Sequence, residues 1–175
     1  MRPFYLTMTI KLFLTFLLLL PYPAWSEQYQ SQDDFLQEAF SAPPPKPELL
    51  WISKPLKKQV SEILQHKPGF LRTRYWRKDT SSVWILKEIG KTEPITVGVI
   101  IENNKISKVK VLAFHESRGW EVKHDFFTDQ FKENVLTSDL KLQNSVDGIS
   151  GATLSVRALD KIARLALLFN KHIQK

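Results

Sequence analysis

The stretch ITVGVIIENNKISKVKVLAFH, Ile95 to His115, decides the fold. Two runs rich in β-branched residues, Ile95–Glu102 and Lys105–His115, flank Asn103-Asn104, and asparagine tolerates the backbone that a tight hairpin turn requires. In the second run Ile106, Val109, Val111 and Ala113 mix with Lys105, Lys108 and Lys110, the pattern of a half-buried strand. A further run, Ser82–Ile89, precedes them. The centre of the chain therefore reads as a meandering antiparallel sheet.

On both sides the periodicity turns helical. After Thr153, apolar Leu154, Ala158, Leu159, Ile162, Ala163, Ala166, Phe169 and Ile173 recur three and four residues apart, while Arg157, Asp160, Lys161, Arg164 and Lys171 fall mostly between them. Upstream, Ser53 is placed to cap a helix with Pro55 in its first turn, and Leu56, Val60, Ile63 and Leu64 form its apolar stripe up to Lys67-Pro68-Gly69. Ser31 to Phe40 reads as a short helix with Phe35, Leu36, Ala39 and Phe40 on one side, and Pro43-Pro44-Pro45-Lys46-Pro47 then forces an extended linker. Asp125 to Leu136 is expected to be helical, and no internal repeat is visible. The expected architecture is α+β: an antiparallel β-sheet meander with helices on one face, occupying residues 49–175 behind a helix and Pro-rich linker at 27–48.

The first 26 residues look like an export signal. Arg2 and Lys11 supply positive charge, Leu12–Leu20 is apolar apart from one Thr, and Ala24-Trp25-Ser26 offers small residues at a cleavage site. That run is short of the roughly 20 apolar residues that span a bilayer, which favours a cleaved signal over a retained anchor, with Glu27 opening the mature chain. Met8 is an alternative start that gives Lys11 a more usual position. The expected location is periplasmic or otherwise extracytoplasmic.

Composition narrows the chemistry. The 175 residues suit one domain plus a leader, and 43% hydrophobic content can build a core. There is no cysteine, so disulfides, iron–sulfur clusters, thiolate metal sites and lipidation of cysteine are excluded. Any redox chemistry must come from an organic cofactor. The formal net charge is +7, and without Arg2 and Lys11 it is +5. Basic residues are scattered apart from Lys54/Lys57/Lys58 and Arg72/Arg74/Arg77/Lys78, and an export signal argues against nucleic acid as partner.

Two segments carry candidate chemistry. Asp147-Gly148-Ile149-Ser150-Gly151-Ala152-Thr153-Leu154-Ser155 leads into the C-terminal helix. A helix N-terminus has unpaired N–H groups and about half a positive charge, so it stabilises a phosphate, and Thr153 is placed to carry or contact one. The same residues also suit an ordinary cap by Ser150 or Thr153. The second segment, Phe114-His115-Glu116-Ser117-Arg118-Gly119-Trp120-Glu121, follows the last strand, where binding groups tend to sit. Phe114 and Trp120 can stack on a planar ring, Ser117 can hydrogen-bond it and Gly119 allows a tight turn. Equally, Trp120 suits a rim position of the core and Glu116 a solvated charge.

Together these segments resemble the extracytoplasmic FMN-binding domain family, which also occurs in flavin-carrying subunits of the sodium-pumping quinone reductase and of Rnf-type electron-transfer complexes. The resemblance rests on Gly98–Glu102 followed by Lys105–Leu112, on Glu116–Gly119, on Phe127–Phe131 and above all on Asp147–Ser155. It implies FMN joined to Thr153 by a phosphoester bond. Asp147, Ser150, Gly151, Ala152 and Leu154 would lie around the attachment point, and Glu116, Ser117, Gly119 and Trp120 would also contact the cofactor. It further implies a Mg-dependent flavin transferase that uses FAD as donor, and a membrane-bound electron donor. The chain would then be an electron carrier rather than a stand-alone enzyme. Where the larger subunits usually show Glu-Thr-Pro-Gly, this chain has Glu116-Ser117-Arg118-Gly119, and the substituted arginine would favour an anionic flavin if it points at the ring. Two other readings remain open at this point. One is a hydrolase or metal enzyme built from His115, Glu116, His124 and Asp125, although Gly148-Ile149-Ser150-Gly151 lacks the G-x-S-x-G spacing of a nucleophile elbow. The other is a cofactor-free module docking on an anionic partner through Lys54–Lys58 and Arg72–Lys78.

Overall fold

The computed structural model describes residues 27–174, and the expected leader, residues 1–26, lies outside them. In chain order the strands are β1 (Glu27–Gln28), β2 (Glu48–Trp51), β3 (Arg72–Lys78), β4 (Ser81–Ile89), β5 (Pro94–Glu102) and β6 (Lys105–Phe114). Asn103 and Asn104 adopt left-handed backbone, with φ of 49° and 67°, and close the two-residue turn that pairs Glu102 with Lys105. Every neighbouring pair is antiparallel and the sheet order is β1-β6-β5-β4-β3-β2, so β2 to β6 form a meander.

Alternation along the strands separates two apolar faces. Tyr75, Trp84, Val97, Val99, Ile101 and Val109 pack with helix α4 (Thr153–Ile173) and with Leu56, Val60 and Ile63 of helix α2 (Lys54–Leu64) in the main core. Trp84 is central there: it stacks on Tyr75 at 4.9 Å and lies 5.6 Å from Phe169. Its indole N–H donates to Ser82 Oγ at 2.9 Å, and Ser82 in turn donates to Asn170 Oδ1 at 2.8 Å, so these buried polar groups are satisfied.

The opposite face is not bare, contrary to the expectation of helices on one face. Helix α1 (Gln32–Phe40), capped by Ser31 through Asp34 N–H, buries Phe35 and Leu36 against Trp76, Val83, Ile100 and Leu112. Gly98 in the middle of β5 makes room for it: a Cβ there would lie 2.3 Å from the Phe35 ring. The segment set apart as helix and linker thus packs on the sheet's outer face, and the chain after Pro47 enters β2 directly.

The expected helix over Asp125–Leu136 shrinks to α3 (Asp125–Thr128) and a 3-10 turn at Asp129–Phe131. Glu133, with φ 60°, and Asn134 leave the helical path to pair with β6: Glu133 N–H donates to Ile106 O at 2.8 Å, and Ile106 N–H donates to Asn134 O at 3.0 Å. Tertiary pairing overrides local periodicity there. Register places Trp51 opposite Arg72, Ile89 opposite Pro94 and Ile95 opposite Phe114. The end of β2, the start of β3, the β4–β5 turn and the end of β6 therefore share one end of the sheet, and that end carries the site.

Candidate functional site

Beyond β6 the chain is fixed by a carboxylate. Glu116 Oε1 accepts from the backbone N–H groups of Lys91, Thr92 (2.6 Å) and Glu93 (2.9 Å), and Oε2 accepts from Thr92 Oγ1 at 3.1 Å. Burial pushes this carboxyl up, but the donors from Glu93, Thr92 and Lys91 more than offset it and hold Glu116 below the usual carboxylate range. Its lone pairs are spent inside the fold, clamping the β4–β5 turn to the loop after β6. Glu116 thereby positions the loop rather than standing as a solvated charge.

Three residues later the loop seats on α4. Gly119 has φ +84°, and a Cβ on it would lie 2.5 Å from Ser155 Oγ and 3.5 Å from Ala152 Cα. Only glycine allows both the left-handed backbone and this approach. The contact brings the two candidate segments together: Gly119 meets the first turn of the helix that Thr153 opens, and Trp120 follows it in the chain.

At that turn the expected side-chain cap is missing. Ala152 is the N-cap residue, with φ −112° and ψ 18°, and no side chain caps the helix, so neither Ser150 nor Thr153 fills that role. The first helical bond runs from Val156 N–H to Ala152 O at 3.0 Å. The N–H groups of Thr153, Leu154 and Ser155 stand ahead of it, at the positive end of a 21-residue helix. Thr153 is the first helical residue and is exposed, as are Ser150, Gly151 and Leu154, whereas Ala152 is buried beneath them. Asp147 is held through its backbone, its N–H donating to Gln130 Oε1 at 2.7 Å, while its side chain is exposed. Around Gly148 and Gly151 no other part of the chain comes within 4 Å of a would-be Cβ, so the loop is open to approach.

The aromatic side of the site comes from the 3-10 turn Trp120–Lys123 and the start of α3. Trp120 is 47% exposed, His124 meets its edge at 5.4 Å, and Phe126 stacks on His124 at 6.1 Å. The Lys123 ammonium lies 4.1 Å from the Tyr29 ring and 5.3 Å from that of Trp120. Ser117 and Arg118 are exposed on the same loop, whereas Phe114, the other stacking candidate, is buried in the core. His124 and Phe126 were missed as ring contacts because their approach depends on the 3-10 geometry of residues 120–123. Arg157, exposed one turn below Thr153, was legible only as the i+4 partner of that residue. Among the described residues no group of three or more His, Asp or Glu side chains is arranged to hold a metal ion, and Glu116 of the alternative metal constellation is engaged by the 90–93 turn.

Residues 90–168 match the family model of the FMN-binding domain. The matched segment runs from the clamped β4–β5 turn through both site loops into α4, and its similarity to that domain supports FMN as cofactor. No significant match was found among curated proteins or among solved structures. The residues present fit such a group: an uncapped helix N-terminus suits a phosphate-bearing ligand, and exposed Trp120 and Leu154 supply apolar surface beside it.

Proposed function

We propose that Thr153 carries FMN covalently and that the chain works as an exported electron carrier. The observation that supports this most directly is an exposed Thr153 hydroxyl, free of any capping role, at the first position of an uncapped helix and beside a loop held by Gly119. In the attachment step the Thr153 oxygen bonds to the FMN phosphorus of FAD, AMP leaves and the hydroxyl proton is released. A Mg-dependent flavin transferase performs it. The product phosphodiester retains one negative charge, which the N–H groups of the first turn and the helix dipole stabilise by about 0.3–1 kcal/mol. Small Ser150, Gly151 and Ala152 let the transferase close around the loop.

The isoalloxazine supplies reversible electron transfer, and the chain supplies what surrounds it. Trp120 and Leu154 offer the ring an apolar seat, Ser117 offers a hydrogen bond, and Arg118 and Arg157 bring positive charge toward the anionic end of the cofactor. Glu116 keeps the loop in place. Electrons come from a membrane-bound reductase and pass to an extracytoplasmic acceptor. Coexpression with a flavin transferase tests the reading: the intact mass should rise by FMN minus water, the yellow colour should survive denaturation, and Thr153→Ala should abolish both. An unmodified mass in a transferase-positive host would overturn covalent attachment and favour a cofactor-free module of the same fold.

A further inference from the structure

The same end of the sheet carries a second feature, which goes beyond the flavin reading and does not depend on it. Trp51 closes β2, Leu71 precedes β3 and Ile89 closes β4, and they are 60%, 70% and 50% exposed. Leu71 accepts the Ile52 N–H at 2.9 Å, which sets it beside the residue that follows Trp51, and Ile89 ends β4, the strand next to β3 in the sheet, at the same end. Exposed cations stand among them: Lys54 opens α2 three residues after Trp51, Arg72 lies over the Trp51 ring at 5.2 Å, and Lys91 sits in the turn that Glu116 clamps. Glu93, in that same turn, is the exposed acid beside them. Large apolar side chains rarely stand this far out of a soluble surface without a partner. Trp51, Leu71 and Ile89 stand at strand ends, outside the lining of the groove that Arg72 shares with Leu49, Phe70 and Lys87, so they suit insertion into a soft interface better than a shaped protein pocket. Tryptophan with flanking Lys and Arg is the chemistry that a bilayer interface selects, and the basic balance complements anionic headgroups. We propose that this rim of Trp51, Leu71 and Ile89, with Lys54, Arg72 and Lys91, seats the protein on an anionic phospholipid surface.

The full chain, purified from an exporting host with its intact mass recorded, is sedimented with vesicles of phosphatidylcholine alone and of phosphatidylcholine mixed with phosphatidylglycerol. Binding is expected on the mixed vesicles and is expected to weaken as salt is added. Trp51→Ser with Leu71→Ser should lower the partition about tenfold or more. Arg72→Gln and Lys91→Gln should each lower it about fivefold, while Lys78→Gln, at the far end of β3, should leave it unchanged. The single charge variants keep the test decisive if the double apolar variant folds poorly. Absence of binding to the mixed vesicles, or equal losses from Lys78→Gln and Arg72→Gln, would overturn the proposal. So would sedimentation confined to vesicles that carry membrane proteins, which would assign the rim to a protein partner.

Discussion

Replacing Gly119 with Ala tests whether the loop after β6 is seated on α4, the contact that assembles the site. Two costs add. Left-handed backbone at φ +84° disfavours a residue with a Cβ by about 1–2 kcal/mol. The new methyl would also meet Ser155 Oγ at 2.5 Å and Ser155 Cβ at 3.3 Å, and overpacking of this kind costs about 1–3 kcal/mol. The expected loss is therefore about 2–5 kcal/mol, read from urea denaturation, with a melting temperature lower by about 2–4 °C per kcal/mol. The steric part can be separated from the strain. In a Ser155→Ala background the nearest clashing atom is gone, so Gly119→Ala should cost less there by about 1 kcal/mol or more, a coupling that only neighbours show. An equal cost in both backgrounds would mean that the methyl does not meet Ser155, and the seating of the loop on the first turn of α4 would lose its basis.

The other expectations follow from equally local geometry. Glu116→Gln should cost about 1–2 kcal/mol near neutral pH, because charge-assisted bonds to the Lys91, Thr92 and Glu93 N–H groups become neutral ones, with a discount for partial exposure. Since the folded state holds the Glu116 pKa down, this stabilisation is present above the unfolded carboxylate pKa and is lost as pH falls through the lower folded value, so the difference between wild type and Gln in urea melts should vanish in acid. His66 moves the other way. Its bond to Lys67 O and its contact with Glu88 at 3.1 Å raise its pKa, so its contribution is full below the unfolded value and fades as pH rises through the folded one. An NMR titration giving His66 a lowered pKa would contradict that contact. Phe35→Ala should cost about 3–5 kcal/mol, since the ring is fully buried on the outer face, and hydrogen exchange should show α1 opening first.

How much was legible in the sequence depended on whether each signal was local. The β5–β6 hairpin, the apolar stripes of α2 and α4 and the extent of α1 are written in runs and turns, and the structure keeps them within a residue or so. Strand β3 was not legible, because Arg72, Arg74, Arg77 and Lys78 read as a charge cluster, although Tyr75 and Trp76 supply its buried positions on the two faces. Strand β2 was hidden by its four-residue length directly after the proline run. In the site, the place of Thr153 at a helix start could be read, but the clamp by Glu116 could not, since its partners lie 23 to 25 residues away in sequence. The absent side-chain cap was equally invisible, because Ser150 and Thr153 are both good cap residues. Neither hydroxyl caps the helix end, where Ala152 occupies the cap position.

That choice of cap links fold to function. A serine or threonine at an N-cap with extended backbone offers its oxygen to the first turn and stabilises a helix by about 1 kcal/mol, whereas buried Ala152, at ψ 18°, offers none. The chain forgoes this, and the core does not require it to: α4 is held along its length by Leu159, Ile162, Ala166 and Phe169 against the sheet. Helix stability is thus supplied by packing far from the N-terminus, which leaves the first-turn donors available to an anion. The cost of the bare terminus falls where the loop from β6, fixed by Glu116 and Gly119, already restrains the backbone. A phosphate on Thr153 would restore the missing interaction, so attachment and helix stability should rise together.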